Sequence, residues 1–137
     1  MYPEHLTIPM EKDLTDFGFH GLKSAEEVSL VLEKKEGTVL VVVNSVCGCA
    51  AGNCRPGVKI AVENAKVPDT LATVFAGVDR DAVNKAREFM LPYPASSPSI
   101  ALFKDGDLVH FLERHQIEGN SAEAIAANLK MAFDNFC

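Results

Sequence analysis

Apolar residues along the chain follow two patterns, which predict strands and helices in alternation. Residues 38–44 read Thr-Val-Leu-Val-Val-Val-Asn, a β-branched run without alternation that is typical of a strand buried on both faces. Residues 71–78 and 99–103 are further strand-length runs. A Lys-Asp-Gly-Asp turn follows the last of these, and residues 108–113 are expected to return as its antiparallel partner.

Helical spacing of apolar residues predicts a helix before, between and after these strands. The stretches are residues 24–36, 57–65, 79–90 and 121–136. Ser24 is a suitable N-cap with two acidic residues in the turn behind it, and Gly37 is expected to end the first helix. Residues 1–23 mix proline, glycine and aromatics, which predicts an irregular N-terminal arm.

The order of the elements defines the fold class. Strands that alternate with helices pair in parallel through right-handed crossovers, and the terminal hairpin adds an antiparallel edge. We therefore expect an α/β fold with a mixed central sheet and helices on both faces. The chain has 137 residues, of which 47% are hydrophobic, so it is expected to form a single domain over residues 1–137.

Charge and hydropathy exclude some kinds of partner. Thirteen basic against 19 acidic residues give a net charge of -6 with no basic stripe, so we expect no nucleic acid partner. The apolar runs are too short to cross a bilayer, which predicts no membrane association. The first residues lack the charged-then-apolar pattern of a signal peptide, and we expect a cytoplasmic protein. Nothing in the pattern specifies an oligomeric state.

The candidate chemistry is concentrated in Cys47-Gly48-Cys49, directly behind the predicted strand of residues 38–44. In α/β folds a strand-to-helix junction lies at the rim of the sheet, where ligands bind. A helix N-terminus also carries partial positive charge and unpaired N–H groups, which favour a thiolate over a thiol. In the cytoplasm, closely spaced cysteines more often serve redox or metal chemistry than structural disulfides. The segment therefore predicts a reactive sulfur.

Several segments carry a resemblance to a known family. The cysteine pair sits where thioredoxins carry Cys-x-x-Cys, and residues 97–106 resemble their cis-proline segment. The whole chain resembles the bacilliredoxins, a thioredoxin-fold family marked by Val-Asn-Ser-Val-Cys-Gly-Cys-Ala-Ala-Gly, here residues 43–52. Residues 113–119 and the N-terminal arm are also similar to that family. The resemblance implies a thioredoxin-like fold and an enzyme that removes bacillithiol from protein mixed disulfides.

Disulfide exchange suggests a role for each cysteine of the pair. A thiolate attacks one sulfur of a disulfide, and a second thiol resolves the mixed disulfide that forms. Cys47, nearest the strand end, is the expected attacking residue, and Cys49 is the natural resolving thiol. Gly48 is expected to adopt dihedral angles that only glycine reaches freely. Arg55 and Lys59 are the nearest cations in sequence, and we expect both to be ordinary solvated charges.

Two further features are assigned to the site. Pro98 is expected to take the cis form, in keeping with the family, and to expose the backbone of Ser97 beside the cysteines for pairing with an extended substrate. Gly48, Ser97 and Pro98 are therefore the expected substrate-binding residues. Cys54 and Cys137 are candidate accessory thiols. Cys54 departs from the family pattern and could resolve in place of Cys49, or it could pack as a small hydrophobe.

The residues leave alternative functions open. No bound cofactor is expected; bacillithiol or a similar low-molecular-weight thiol would be the co-substrate, and proteins carrying mixed disulfides the clients. Disulfide isomerase activity is a close alternative, since the same exchange steps serve both. A different class is a metal or iron–sulfur protein using Cys47, Cys49 and Cys54, although zinc sites generally use wider pairs. A binding module on a thioredoxin scaffold is a third.

Overall fold

The computed structural model describes residues 2–137, in which five strands form a single sheet. The strands are β1 (His20–Gly21), β2 (Thr38–Asn44), β3 (Thr70–Phe75), β4 (Ser99–Lys104) and β5 (Asp107–Leu112). The helices are α1 (Glu4–Thr15), α2 (Ala25–Leu32), α3 (Arg55–Ala61), α4 (Arg80–Phe89), α5 (Arg114–Glu118) and α6 (Ala122–Phe136), and a π-helical turn (Ala50–Cys54) precedes α3.

The apolar run of residues 38–44 forms the central strand. The sheet order is β1-β3-β2-β4-β5, with β1 and β2 parallel to β3 and the β4–β5 hairpin antiparallel. All seven residues of β2 are buried. The hairpin turns at Asp105 and Gly106, which both have positive φ values, of 51° and 87°. The predicted mixed sheet with a terminal hairpin is confirmed.

Both faces of β2 are covered, which explains why its sequence shows no alternation of apolar and polar residues. Leu40 and Val42 belong to a core on one face, together with residues of α3 and α6. Val39, Val41 and Val43 belong to a second core on the other face, beneath α2 and α4. The expectation of helices on both faces is therefore confirmed.

The N-terminal arm is not irregular, and the prediction for residues 1–23 is wrong in this respect. Residues 4–15 form α1 even though the helix contains Pro9, and residues 20–21 extend the sheet beside β3. Pro9 removes a helical hydrogen bond, which is why the sequence argues against a helix here. Packing compensates, since Leu14 is fully buried in the core with α3 and α6.

Two other elements differ from the expectation, and both lie near the cysteines. The helix predicted for residues 57–65 begins earlier, with the π-helical turn at Ala50, and ends at Ala61. The short helix α5 was not predicted; a capping box between Glu113 and Gln116 starts it. No helix within residues 2–137 combines the length and apolar character needed to span a bilayer.

Candidate active site

The carboxyl end of β2 leads into the cysteine loop, and local hydrogen bonds hold that loop. The backbone N–H of Cys47 donates to the Ser45 hydroxyl at 3.1 Å. The N–H groups of Ala50 and Ala51 donate to the Cys47 carbonyl at 2.9 and 3.2 Å. The chain then enters the π-helical turn and α3. The cysteines thus lie at a strand-to-helix junction, as the sequence predicts.

The two cysteines of the pair are placed for direct exchange but have different electrostatic surroundings. Cys47 Sγ and Cys49 Sγ lie 2.6 Å apart, and both are half-buried free thiols. A hydrogen bond from the Cys49 thiol, and then the backbone N–H of Cys49, lower the pKa of Cys47. Burial and the adjacent Cys47 raise the pKa of Cys49 to about 11. Negative charge therefore settles on Cys47 while Cys49 stays protonated.

Arg114 approaches the pair, although no feature of the sequence predicts it as a site residue. Its Nη2 lies 3.3 Å from Cys47 Sγ, and its Coulombic attraction also lowers the pKa of that thiol. Its Nη1 lies 3.5 Å from the Ser97 carbonyl, and Nε pairs with Glu118 at 3.4 Å. Residues 113–119 were noted for their family resemblance, but no spacing links Arg114 to a cysteine 67 positions earlier.

Arg55 is not a solvated charge, and that expectation is wrong. Its side chain is buried beneath the cysteine loop, where Nη1 donates to Asn44 Oδ1 at 2.9 Å and to the Ser45 carbonyl at 3.0 Å. Asn44 Oδ1 also accepts from the Ser45 N–H, and Asn44 Nδ2 donates to the Met10 carbonyl. This network joins α1 to the end of β2 just before Cys47.

Lys59 is also paired. Its Nζ lies 2.7 Å from Asp13 Oδ1, while Arg55 Nε lies 3.3 Å from Asp13 Oδ2. The Lys59 ammonium further sits 5.2 Å from the centre of the Phe17 ring, within range of a cation–π contact. Neither Arg55 nor Lys59 therefore contacts the Cys47–Cys49 pair. Closeness in the sequence does not predict which cation lies at the site.

Gly48 and Ser97, two of the expected substrate-binding residues, lie beside the pair, whereas Pro98 is buried and does not line the groove there. The Ser97–Pro98 bond is cis, as predicted, and Leu91–Pro92 is a second cis bond that was not predicted. Ser97 lines a groove of about 350 Å³ together with Cys47 and Arg114. Gly48 is exposed next to the pair. Its φ is not positive, and a Cβ there would meet nothing within 4 Å, so the expected need for glycine's special dihedral angles is wrong.

The other two cysteines are not part of the pair. Cys54 is fully buried in the core under α3, and burial raises its pKa to about 12. Cys137 is exposed and contacts Thr38, the first residue of β2. Cys47 follows the far end of that strand, about 20 Å away. Within residues 2–137, no group of three or more histidine, cysteine or acidic side chains is placed to hold a metal ion.

Comparison with known proteins identifies the family. A family model described as disulphide isomerase matches residues 2–137. The bacilliredoxin of Cytophaga hutchinsonii is 60% identical over 134 residues, which cover 98% of each chain. The chain belongs to the bacilliredoxin family. A bacilliredoxin of Bacillus cereus is 50% identical over 99% of this chain and 95% of its own. The resemblance noted in the sequence is confirmed.

Solved structures confirm the fold. The thioredoxin of Trypanosoma brucei brucei superposes with a TM-score of 0.58 at 19% identity, covering 85% of this chain and 88% of its own. The Fasciola hepatica thioredoxin gives a TM-score of 0.54 at 17% identity, covering 84% and 99%. The chain therefore has the thioredoxin fold. With its family, this makes the protein an oxidoreductase of the thiol–disulfide class.

Proposed function

We propose that the protein removes bacillithiol from mixed disulfides on cytoplasmic proteins, with Cys47 attacking and Cys49 resolving. The observation that carries this proposal is the asymmetry of the pair. Cys47 has a lowered pKa and lies 3.3 Å from a guanidinium, whereas the pKa of Cys49 is raised to about 11. Cys47 is thus the thiol that attacks as a thiolate, while Cys49 stays protonated until the resolving step. Membership in the bacilliredoxin family supports bacillithiol as the small thiol.

In the first step the Cys47 thiolate attacks the bacillithiol sulfur of the mixed disulfide. A bond forms between Cys47 Sγ and that sulfur, and the bond from that sulfur to the client cysteine breaks. The client sulfur leaves with the electron pair and takes a proton from water. Arg114 and the N–H groups at the start of the π-helical turn stabilise the attacking charge.

The second step follows from the loss of that charge. The adjacent Cys47 is one of the causes that raise the pKa of Cys49, and its charge disappears once Cys47 is in a neutral disulfide. Removing a nearby negative charge lowers the pKa of a thiol, so Cys49 deprotonates more readily. Its thiolate attacks Cys47 Sγ, which forms the internal disulfide and releases bacillithiol. One free bacillithiol then attacks the internal disulfide and forms a mixed disulfide with the protein, and a second attacks the sulfur of that bacillithiol, which frees both cysteines as thiols and releases bacillithiol disulfide.

Cys49 is favoured over Cys54 as the resolving thiol. Its sulfur lies 2.6 Å from Cys47 Sγ. Cys54 is fully buried, and burial raises its pKa to about 12, so it supplies little thiolate. The metal-binding alternative would need Cys54 to join the pair, and its burial in the core argues against that arrangement.

Disulfide isomerase activity is a second candidate, because the matching family model carries that description. The same attack by Cys47 on a protein disulfide, followed by return of the client thiol, would serve it. Recovery of activity from a client with mispaired disulfides measures isomerisation. Release of bacillithiol from a client with a single cysteine measures the proposed function, since such a client cannot be isomerised.

The test uses a single-cysteine client carrying bacillithiol, with wild type and three alanine variants. Cys47→Ala is expected to release no bacillithiol. Cys49→Ala is expected to complete one turnover and to need free bacillithiol for the next. Cys54→Ala is the matched control, expected to turn over like wild type. Substantial release by Cys47→Ala, or loss of turnover in Cys54→Ala, would contradict the assignment.

A further inference from the structure

The groove beside Cys47 has the size and composition of a small-molecule site. Its volume of about 350 Å³ falls in the usual range for ligand pockets, roughly 300–1,000 Å³. Its lining includes Tyr2, Gly77, Ser97 and Arg114. Among the lining residues of the described chain, Arg114 is the one cation, and Cys47 carries the attacking sulfur. The groove is therefore suited to a ligand with negative charge close to its reactive sulfur.

The guanidinium of Arg114 changes its partner during the proposed reaction. In the resting protein Nη2 faces the Cys47 sulfur. In the mixed disulfide that sulfur is neutral, so Arg114 loses this anionic partner. Its remaining contacts are long, 3.5 Å from Nη1 to the Ser97 carbonyl and 3.4 Å from Nε to Glu118. A planar guanidinium with free N–H groups pairs well with a carboxylate, in bidentate fashion.

Tyr2 supplies an uncharged wall of the same groove. A Cβ placed on Gly77 would lie 2.6 Å from Tyr2 Cε2, so the ring packs directly against the Gly77 backbone. Gly77 also has a φ of 84°, a backbone angle that residues other than glycine rarely adopt. An aromatic ring offers apolar contact to any small thiol, with or without charge. The charge preference of the groove is therefore set by Arg114.

We propose that this groove binds the small-thiol half of the mixed disulfide, and that Arg114 recognises a carboxylate on it. The ligand class is a carboxylate-bearing low-molecular-weight thiol, a chemistry that bacillithiol shares with glutathione. This inference rests on the proposed function, since the ligand enters as the bacillithiol half of a client disulfide. Arg114 then has two tasks: it stabilises the Cys47 thiolate before attack and holds the transferred thiol after it.

The experiment separates these two tasks by varying the small thiol on one single-cysteine client. The client is loaded with bacillithiol, glutathione or uncharged 2-mercaptoethanol, and kcat and KM for release are measured. Arg114→Gln is expected to slow all three, because the thiolate is less stabilised. It is expected to lower kcat/KM for the two carboxylate-bearing adducts by about a further threefold to fivefold, mainly through KM. Arg114→Lys should recover part of this preference, since it restores the charge without the planar fork.

A matched arginine variant and a salt series control for effects unrelated to carboxylate recognition. Arg80→Gln makes the same substitution at an exposed arginine outside the groove and is expected to match wild type. Rising salt should narrow the wild-type preference for carboxylate-bearing adducts and leave Arg114→Gln unaffected, because exposed charge pairs are screened. An equal loss on all three adducts in Arg114→Gln would overturn carboxylate recognition while leaving the proposed function intact. A wild type that releases none of the adducts would overturn both. The bacillithiol and glutathione arms show which thiol the groove prefers.

Discussion

Replacing Arg55 by methionine tests the buried network beneath the cysteine loop. Arg55 is 5% exposed and donates two hydrogen bonds from Nη1, of 2.9 and 3.0 Å, to Asn44 and to the Ser45 carbonyl. A hydrogen bond from a charged group contributes about 1.5–3 kcal/mol, and its loss leaves the buried Ser45 carbonyl without this donor. Methionine fills most of the vacated volume, so the cavity cost is small.

The ion pair with Asp13 adds little to this sum. Arg55 Nε lies 3.3 Å from the carboxylate without an aligned hydrogen bond, and the Asp13 side chain is 37% exposed. Solvent screening limits such a pair to about 1 kcal/mol or less. Burying the guanidinium also has a desolvation cost. The methionine variant no longer has this cost, which reduces the net loss of stability. We therefore expect Arg55→Met to lower the free energy of unfolding by about 3 kcal/mol.

Lys59→Met is the matched control, because Lys59 pairs with the same carboxylate from a side chain that is 26% exposed. It should cost about 1 kcal/mol or less. Urea unfolding gives the free energy of unfolding of both variants. If the dependence of that free energy on urea concentration is unchanged, the difference in midpoint reports the difference in stability. If the two variants lost equal stability, or if Arg55→Met lost less than about 1 kcal/mol, the network would not hold the loop as described.

Two further predictions concern the cysteine pair and the helix beneath it. Alkylation followed by mass spectrometry across pH should label Cys47 at lower pH than Cys49, because the pKa of Cys47 is lowered and that of Cys49 is raised to about 11. In Cys47→Ala, the pH at which Cys49 is labelled should fall. Labelling of the two cysteines at the same pH in wild type would contradict the asymmetry. Gly57→Ala should lower the free energy of unfolding by about 1–3 kcal/mol, because its Cβ would lie 2.9 Å from Ile125 Cγ2 and force α3 away from α6. Gly52→Ala, whose Cβ meets nothing within 4 Å, is the control in the same urea experiment, and an equal effect at both positions would refute the packing argument.

The sequence predicts the elements that place the cysteines because local signals determine them. The run of residues 38–44 is apolar at its five central positions and is buried along its whole length, and it specifies a central strand without help from other segments. Ser24 and Ser121 cap α2 and α6 through their side-chain oxygens, as their residue types favour. The antiparallel hairpin follows from the turn at Asp105 and Gly106.

What the sequence does not predict depends on contacts between distant segments. Arg114 reaches Cys47 because α5 begins beside Ser96 and Ser97, and no local pattern encodes that approach. Arg55 is buried because Asn44 and Ser45, at the end of β2, accept its hydrogen bonds. A charged residue is ordinarily expected at the surface, so the residue type alone does not predict this burial. The helix α1 contains Pro9, and its packing against the core outweighs the local signal against a helix.

The central claim is that Cys47 takes over the small thiol from a client protein. Intact-protein mass spectrometry of Cys49→Ala, mixed with a bacillithiolated single-cysteine client, tests it most directly. Since Cys49 is absent, the transferred thiol should remain on the protein, and peptide mapping should place the adduct on Cys47 with release of an equal amount of reduced client. An adduct on Cys54 or Cys137, or a mixed disulfide between Cys47 and the client itself, would contradict the account.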